Sequence, residues 1–500
     1  MEYFINCNTS PLAEYTTPLD RQKIQHLYRR LGFSASVATV NQAVGTTAST
    51  LVNSLINEAV NMPTLPAPPW ANWTGANYPE DDDLRNSTIN TQFRSISLDY
   101  AKSLLADNLR DRLSFFWSNH FVTELRVYDA PPFLFEYITC LQRNAIGNFK
   151  TFVSEIGLTN AMLFYLDGAY NNSNRPNENY ARELYELFTL GEGNGYTEQD
   201  IVETARALTG YVERGEIRWT PVTFRADRFD AGSKTILGQT DTFDYDGVID
   251  NLFAQRSTEI ATFICKKLYE FFVHPDSTDQ AGNAETIING MAATFVTNDF
   301  RIAPVLSQLF TSQHFFDEEA IGVIIKSPFD CFLNLINETG FTALDSTIET
   351  VINYSDQLSQ ELFNPVDVAG WQRNRSWINT NFLIGRWLSA EALLEVFWNE
   401  DKEQFRTFGI EVTGPQGATT HNPDLVARAI IDKILPKGLL TEQDYTTAIV
   451  SFRALYEDNN IYEDENPTNP TWTMLNFDNT PEQVYLLLLY LVRQPEFQLK

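Results

Sequence analysis

Acidic and basic side chains are concentrated in residues 177–191, at a spacing that favours a shared site. Glu178, Arg182 and Glu186 lie four residues apart, so on a helix they stack along one face with the cation between two carboxylates. Glu183 lies on the same stretch. Clustered carboxylates can separate their pKa values and then serve as acid and base, or bind a cation. The same spacing also suits a salt-bridge ladder that only stabilises the helix and its neighbours.

A histidine follows an aromatic run further towards the N-terminus. His120 comes after Phe115, Phe116 and Trp117, near a predicted helix end. An imidazole at such a position can act as a base or as a metal ligand. It can also be a core histidine that bonds a backbone carbonyl, because aromatic runs usually lie in a core. The sequence leaves both interpretations open.

Residues 362–380 read as a loop interrupted by proline and glycine, and this loop holds two tryptophans. Trp371 and Trp377 lie among polar residues that include Asp367 and Asn379. Exposed indoles beside amides and carboxylates suit stacking on sugar rings, with hydrogen bonds to the hydroxyl groups. The alternative is a tight loop that closes a helical core.

These stretches lead to the hypothesis of a single cleft, because polar groups within apolar sequence must find partners or line a cavity. We expect acid–base chemistry from His120, Glu178 and Glu183. The GxSxG, HExxH and complete P-loop signatures are absent from the sequence, and no metal ligand is assigned. The residues expected to bind a ligand are Arg182, Glu186, Asp367, Trp371, Trp377 and Asn379.

The charge balance excludes some classes of partner. The chain has 36 Lys and Arg against 65 Asp and Glu, a net charge of −29. Such a surface repels phosphate backbones, so we expect no nucleic-acid partner. The longest apolar run, residues 484–492, is too short to span a bilayer. No signal peptide is visible, so we expect a cytoplasmic protein, or a periplasmic one if a leader has been removed.

Helical periodicity dominates the elements that must position these residues. We predict a mainly α protein, with one large helical domain over residues 1–500 and a small antiparallel β insertion at 210–245. The insertion is expected to begin with a hairpin that turns at Arg214-Gly215. Loops are expected at 62–85, which is rich in Pro, Asn and Asp, and at the acidic segment 457–472.

A series of short motifs extends over nearly the whole chain. The opening motif is His26-Leu27-Tyr28-Arg29-Arg30-Leu31-Gly32-Phe33, and the closing one is Pro495-Glu496-Phe497-Gln498. Between them come Phe116-Trp117-Ser118-Asn119-His120-Phe121, Asn177-Glu178-Asn179-Tyr180-Ala181-Arg182-Glu183, Tyr196-Thr197-Glu198-Gln199-Asp200, Ala205-Arg206-Ala207-Leu208-Thr209-Gly210, Gly370-Trp371 and Trp377-Ile378-Asn379-Thr380. In this order the motifs resemble those of a bacterial family known as domain of unknown function 1800.

The resemblance implies a helical fold and a bacterial source, and it supplies no established activity. It also implies a sulfatase-like partner, because the gene often neighbours one for a sulfatase-like protein in such bacteria. Histidine is common in the family at the positions of Ser118, Phe188 and Phe229, so a metal site built from those imidazoles would lose most of its nitrogen ligands here. We expect no cofactor.

An oxygen-rich divalent-metal site is the alternative to that expectation. His120 with Glu178, Glu183 and Glu186 would be its ligands.

Two functional hypotheses follow. The first is a non-catalytic binding or assembly protein that works with a sulfatase-like partner on cell-envelope or carbohydrate material. The second is a carboxylate-dependent hydrolase or lyase that acts on a carbohydrate polymer. The absence of a recognised nucleophile favours the first, and the clustered carboxylates and tryptophans favour the second.

Overall fold

The computed structural model describes residues 9–106, 108–212, 217–278, 283–453 and 472–500. It is 62% helical, with two small antiparallel sheets of two strands each. This content is well above the roughly one-third helix of an average globular protein. The prediction of a mainly α fold with a small β insertion is confirmed.

The α-helices follow one another through the chain. They are α1 Arg21–Leu31, α2 Val37–Ala43, α3 Ala48–Asn61, α4 Asp82–Leu105, α5 Leu109–Ser118, α6 Leu125–Tyr128, α7 Pro131–Asn144, α8 Phe149–Ile156, α9 Asn160–Tyr165, α10 Asn179–Glu183, α11 Glu198–Ala207, α12 Tyr245–Gln255, α13 Ser257–Phe272, α14 Ala284–Thr297, α15 Ile302–Phe310, α16 Pro328–Thr339, α17 Asp345–Gln357, α18 Thr380–Glu400, α19 Glu403–Thr419, α20 Pro423–Ile434, α21 Glu442–Arg453 and α22 Thr480–Leu491.

Shorter helical turns lie between them. A π-helix, Leu184–Thr189, continues directly from α10. The 3₁₀ turns are Gly75–Asn77, Gly168–Tyr170, Ala226–Arg228, Glu318–Ala320, Asn374–Ile378 and Pro495–Gln498.

Local sequence explains where several helices start. Thr197 caps α11 in a reciprocal capping box with Asp200. Ser327 caps α16 in the same way with Asp330. These side chains satisfy backbone N–H groups that have no partner in the first turn of a helix.

The predicted loop at 62–85 ends earlier than expected. Asp81 caps α4 by accepting a 2.9 Å hydrogen bond from the N–H of Leu84, and Asp82 and Asp83 lie in the first turn. Carboxylates are stabilised at a helix N-terminus, so this acidic run starts a helix. Residues 454–471, which include most of the predicted acidic loop at 457–472, lie outside the described residues.

The β insertion pairs differently from the predicted hairpin. Strand β1, Tyr211–Val212, pairs antiparallel with β2, Thr223–Phe224. Strand β3, Lys234–Ile236, pairs antiparallel with β4, Gln239–Asp241. Residues 213–216, where the Arg214-Gly215 turn was expected, are outside the described residues, and Arg218 and Trp219 form a turn rather than a strand.

Helix α5 is the most enclosed element near the candidate site, because every residue of Leu109–Ser118 is buried. Trp117 donates its indole N–H to the carbonyl of Ala145 at 2.8 Å, which joins α5 to the end of α7. Helix α13 packs along α14, and its last turn faces the end of α5 through a contact between Phe271 and Phe116.

Among the described residues, no helix combines the length and the apolar character that crossing a bilayer requires.

Candidate functional site

A small pocket lies where the end of α5, the last turn of α13 and the start of α16 meet the segment that precedes α18. Its volume is about 110 Å³. Five aromatic residues line it, and these are Phe115, Phe116, Phe271, Trp371 and Trp377. The polar and charged lining residues are Asn119, Glu270, Ser327, Asp330, Gln360, Gln372, Arg373, Asn374 and Lys500.

Both predicted tryptophans line this pocket, although neither is exposed as expected. Trp371 is 6% exposed and Trp377 is 4% exposed. The Trp371 indole N–H donates to the carbonyl of Glu361 at 2.9 Å, and its ring lies 5.1 Å from that of Phe115. The tryptophan loop therefore closes the core, as its alternative interpretation held, and contributes the inner faces of the indoles to a cavity.

Asn119 fixes the position of the tryptophan loop. Its side-chain oxygen accepts a 2.6 Å hydrogen bond from the backbone N–H of Trp371. Gly370 has φ +91°, and a Cβ atom there would overlap the Asn119 side chain. Glycine is required at this point by both the left-handed backbone and the close approach.

The outer end of the pocket holds charges of both signs. Glu270 accepts a 2.5 Å hydrogen bond from the hydroxyl of Ser277. Arg373 remains exposed at the rim, and the protein packed around its guanidinium lowers its pKa. Glu270 opposes that shift by attraction.

His120 lies behind this end of the pocket and is buried. Its Nε2 lies 3.0 Å from the carbonyl oxygen of Phe188, so Nε2 carries the proton and donates. Its Nδ1 then accepts from the Nζ of Lys267 at 3.1 Å. Lys267 also donates to the carbonyl of Leu187 at 3.1 Å. His120 and Lys267 together satisfy carbonyls of the π-helix, where the ordinary helical pairing is interrupted.

Burial controls the protonation of this pair. Burial and then the nearby charge of Lys267 lower the pKa of His120 well below 6.5. Burial and then the like charge of Arg373 lower the pKa of Lys267 to about 7. His120 is therefore neutral, with Nε2 as a donor to Phe188 and Nδ1 as an acceptor from Lys267. This matches its alternative interpretation as a core histidine bonded to a carbonyl.

The inner end of the pocket is a buried ion cluster. Asp330 Oδ2 accepts a 2.6 Å hydrogen bond from Lys500, and Oδ1 lies 2.8 Å from Nη1 of Arg112. Burial alone would raise the pKa of Asp330, but Arg112 and Lys500 hold it well below its usual value. Burial and the charge of Arg112 lower the pKa of Lys500 to about 7.

The predicted ladder exists, and none of its residues is among those that line the aromatic pocket. Arg182 pairs with Glu178 at 3.4 Å and with Glu186 at 3.2 Å, which confirms the prediction from their spacing. A third carboxylate, Glu198 from α11, approaches it to 2.8 Å. The Arg182 side chain is 33% exposed. The cluster is thus a surface network that ties α10 and the π-helix to α11.

Glu183 differs from its neighbours in the ladder. It is half-buried, and burial and then the charge of Glu186 raise its pKa. Within the described chain it has no hydrogen bond or ion pair. It is not among the residues that line the aromatic pocket.

The remaining predicted residues, Asp367, Asn379 and Glu178, are not among those that line the aromatic pocket. Asp367 is exposed and accepts a 2.8 Å hydrogen bond from the N–H of Ala369. Asn379 caps α18 by accepting a 3.1 Å hydrogen bond from the N–H of Phe382. Glu178 lines a separate pocket beside Asp167.

The residues predicted for a single cleft do not all line one pocket. Trp371 and Trp377 line the aromatic pocket, His120 lies behind it, and Glu178, Glu183 and Glu186 are not among its lining residues. In the part of the chain that the structure describes, no group of three or more His, Cys, Asp or Glu side chains could hold a metal ion.

Sequence reasoning missed several pocket residues. Asn119 and Arg373 are direct neighbours of His120 and of the Trp371 segment, so their proximity to those motifs was a usable signal. Glu270 and Lys500 lie in ordinary helical or terminal sequence, and only the tertiary fold brings them to the pocket.

The fold and the site define a mainly helical protein with an enclosed aromatic pocket flanked by charged groups. A model of a protein family of unknown function, DUF1800, matches residues 26–499. The chain belongs to this family. Comparison with curated proteins and with solved structures gave no match.

Proposed function

We propose that this chain is a non-catalytic binding protein and that the aromatic pocket receives one ring of its ligand, with a carbohydrate as the favoured class. The observation that carries the proposal is the pairing of the Trp371 and Trp377 walls with amide groups of Asn119 and Gln360 in one cavity. Aromatic faces stack on the apolar side of a ring, and amides hydrogen-bond to its hydroxyl groups.

The size of the pocket supports a single ring. A cavity of about 110 Å³ is smaller than the ~300 Å³ at which pockets for drug-sized ligands begin. An apolar cavity of roughly 150 Å³ is known to admit benzene. The pocket therefore has room for no more than one six-membered ring, and the rest of a longer chain stays outside its mouth.

The state of the acidic groups in the pocket favours binding over catalysis. Asp330 is fully engaged by Lys500 and Arg112, and Glu270 accepts from Ser277. A general acid or base must be able to exchange its proton with the ligand at hydrogen-bond distance. Carboxylates held in this way orient a ligand better than they transfer protons to it.

Saturation-transfer NMR with a panel of monosaccharides and short oligosaccharides tests the proposal. We expect binding to the parent chain, loss of binding in Trp377→Ala, and retention in Trp70→Ala, which removes an indole that packs on Phe135 outside the pocket. Melting curves check that both variants are folded. Binding that persists unchanged in a folded Trp377→Ala variant would place the ligand elsewhere.

A sulfatase-like partner and cell-envelope material remain part of the proposal on the strength of the family resemblance alone. Co-purification of the full chain from its native cells, with mass spectrometry of bound proteins and glycans, tests them. If neither a sulfatase-like protein nor glycans are recovered, the partner and the envelope material are removed from the proposal. The proposal that the pocket binds a ring ligand would still stand.

Glu183 supports the second candidate, a carboxylate-dependent hydrolase or lyase. A half-buried carboxylate with a raised pKa and no partner in the described chain is suited to general acid catalysis. Polysaccharide turnover by the parent chain, abolished in a folded Glu183→Gln variant, would support this function. Turnover that is unaffected by this substitution would exclude Glu183 as its catalytic residue.

A further inference from the structure

The charges around the aromatic pocket contrast with those of the whole chain. The chain has a net charge of −29. At the outer end of the pocket, however, Arg373 and the single carboxylate of Glu270 are both lining residues. Lys267, whose pKa is lowered to about 7, lies behind this end and adds a partial positive charge near both of them.

The inner end of the pocket has a larger excess of positive charge. Lys500, Arg112 and Arg30 surround the single carboxylate of Asp330. Lys500 and Asp330 line the pocket directly. The guanidinium of Arg112 lies behind the wall, 4.6 Å from the ring centre of Phe271.

The buried guanidinium groups also have unused donors. Nε and Nη2 of Arg112 and Nε and Nη1 of Arg30 have no hydrogen-bond partner within the described residues. Arg112 is 1% exposed, so solvent does not satisfy them. Like charges in this cluster, after burial, lower the pKa of Arg30 to about 9.

Buried cations of this kind are costly unless an anion compensates them. Asp330 supplies one negative charge to the guanidinium groups of Arg112 and Arg30 and to Lys500, which is partly charged at neutral pH because its pKa is about 7. Among the described residues no second carboxylate lines the inner end. A ligand that brought its own negative charge would relieve the excess. The Nζ of Lys500 is the first cation that such a group would reach from the pocket.

We propose that the ring bound in this pocket carries a carboxylate, so that the ligand is an acidic sugar or another small ring acid rather than a neutral one. This inference rests on the proposed binding function and specifies its ligand class. The aromatic walls hold the ring, and the carboxylate pairs with Lys500 at the inner end or with Arg373 at the rim. A charge-assisted hydrogen bond of this kind is stronger than one to a neutral hydroxyl.

Matched pairs of probes separate this inference from the binding function itself. The pairs are D-glucuronate with D-glucose, and benzoate with benzyl alcohol. Calorimetry or NMR titration of the full chain should show that the acid of a pair binds about tenfold or more tightly than its neutral partner, which corresponds to one additional charged contact.

Variants then locate the preference for the acid. Arg373→Gln changes a rim residue and should leave the fold intact, whereas Lys500→Met changes a buried one and needs a melting curve as a control. At least one of the two should reduce the preference about tenfold. Arg94→Gln, a surface change at the pair with Glu349, should preserve it.

The outcomes distinguish the two proposals. Equal binding of acid and neutral partners would overturn the carboxylate inference and leave the binding function standing. Binding of neither member of either pair would count against both. A preference for the acid that survives in both Arg373→Gln and a folded Lys500→Met would also overturn the inference. The ligand carboxylate would then bind to groups other than these two residues.

Discussion

Lys500 and Asp330 form a buried ion pair of 2.6 Å. Asp330 lies in the first turn of α16, and the backbone of Lys500 is hydrogen-bonded to that of Ile324, so the pair joins these two parts of the chain. Each of these side chains is at least 96% buried. The pair lies at the inner end of the aromatic pocket, so the same contact stabilises the fold and shapes the candidate site. Its neighbours, Arg112 and Arg30, make the cluster positive overall.

Asp330→Asn should destabilise the protein strongly. The substitution leaves Lys500 and Arg112 buried without their counter-ion, and the loss of one partner from a buried pair costs about 3–5 kcal/mol. Chemical denaturation measures the change in the free energy of unfolding. Asp345→Asn, which removes the surface partner of Lys102, is the matched control and should have a much smaller effect. Similar losses in the two variants would contradict the account of the cluster.

Gly370→Ala should displace the tryptophan loop. Alanine at φ +91° is strained by about 1–2 kcal/mol, and its Cβ would also overlap Asn119 and break the hydrogen bond to Trp371. Gly45→Ala measures the backbone strain alone, because Gly45 has φ +84° and no atom lies near the added Cβ. We expect a larger drop in melting temperature and loss of ligand binding in Gly370→Ala alone. Identical behaviour of the two variants would show that the contact with Asn119 is unimportant.

Arg182→Ala should have only a modest effect, because the ladder is partly exposed. Solvent-screened pairs contribute little, and we expect a loss of about 1 kcal/mol. The loss should shrink in 1 M salt, where the screening length falls to about 3 Å. Melting curves at low and high salt measure this. A loss of several kcal/mol that does not depend on salt would mean that the cluster is buried in solution.

Acid should destabilise the fold below pH 6.5, partly through His120. Its folded pKa lies well below 6.5, so on acidification the unfolded chain binds a proton that the folded chain does not. Stability therefore falls as the pH drops from 6.5 towards the folded pKa. His120→Gln preserves a donor for Phe188 and an acceptor for Lys267, and it should flatten the fall in melting temperature between pH 6.5 and 5. His274→Gln, at a partly exposed position, is the control and should retain the parent's slope.

Features set by local sequence were predictable, and features set by distant contacts were not. The spacing of Glu178, Arg182 and Glu186 is local, and their pairing was predicted correctly. The third partner, Glu198, belongs to another helix, so spacing along one helix could not indicate it. The location of Trp371 in a Gly-containing loop was visible, but its burial depends on Asn119, far away in the sequence.

The same distinction applies to His120. The polarity of His120 indicated a buried group with specific partners, and it has them in Phe188 and Lys267. Whether a polar residue in an apolar stretch faces a cavity or a carbonyl depends on the neighbouring element. No pattern within residues 111–121 contains that information.

The most direct test of the account is fluorine NMR of the full chain labelled with 5-fluorotryptophan. Resonances are assigned by single Trp→Phe substitutions, and D-glucuronate is then titrated with D-glucose as its neutral partner. The account predicts that glucuronate shifts the resonances of Trp371 and Trp377 and leaves that of Trp70 unchanged. Shifts confined to tryptophans outside the pocket, or no shift with either sugar, would contradict the claim that this pocket binds a ring ligand.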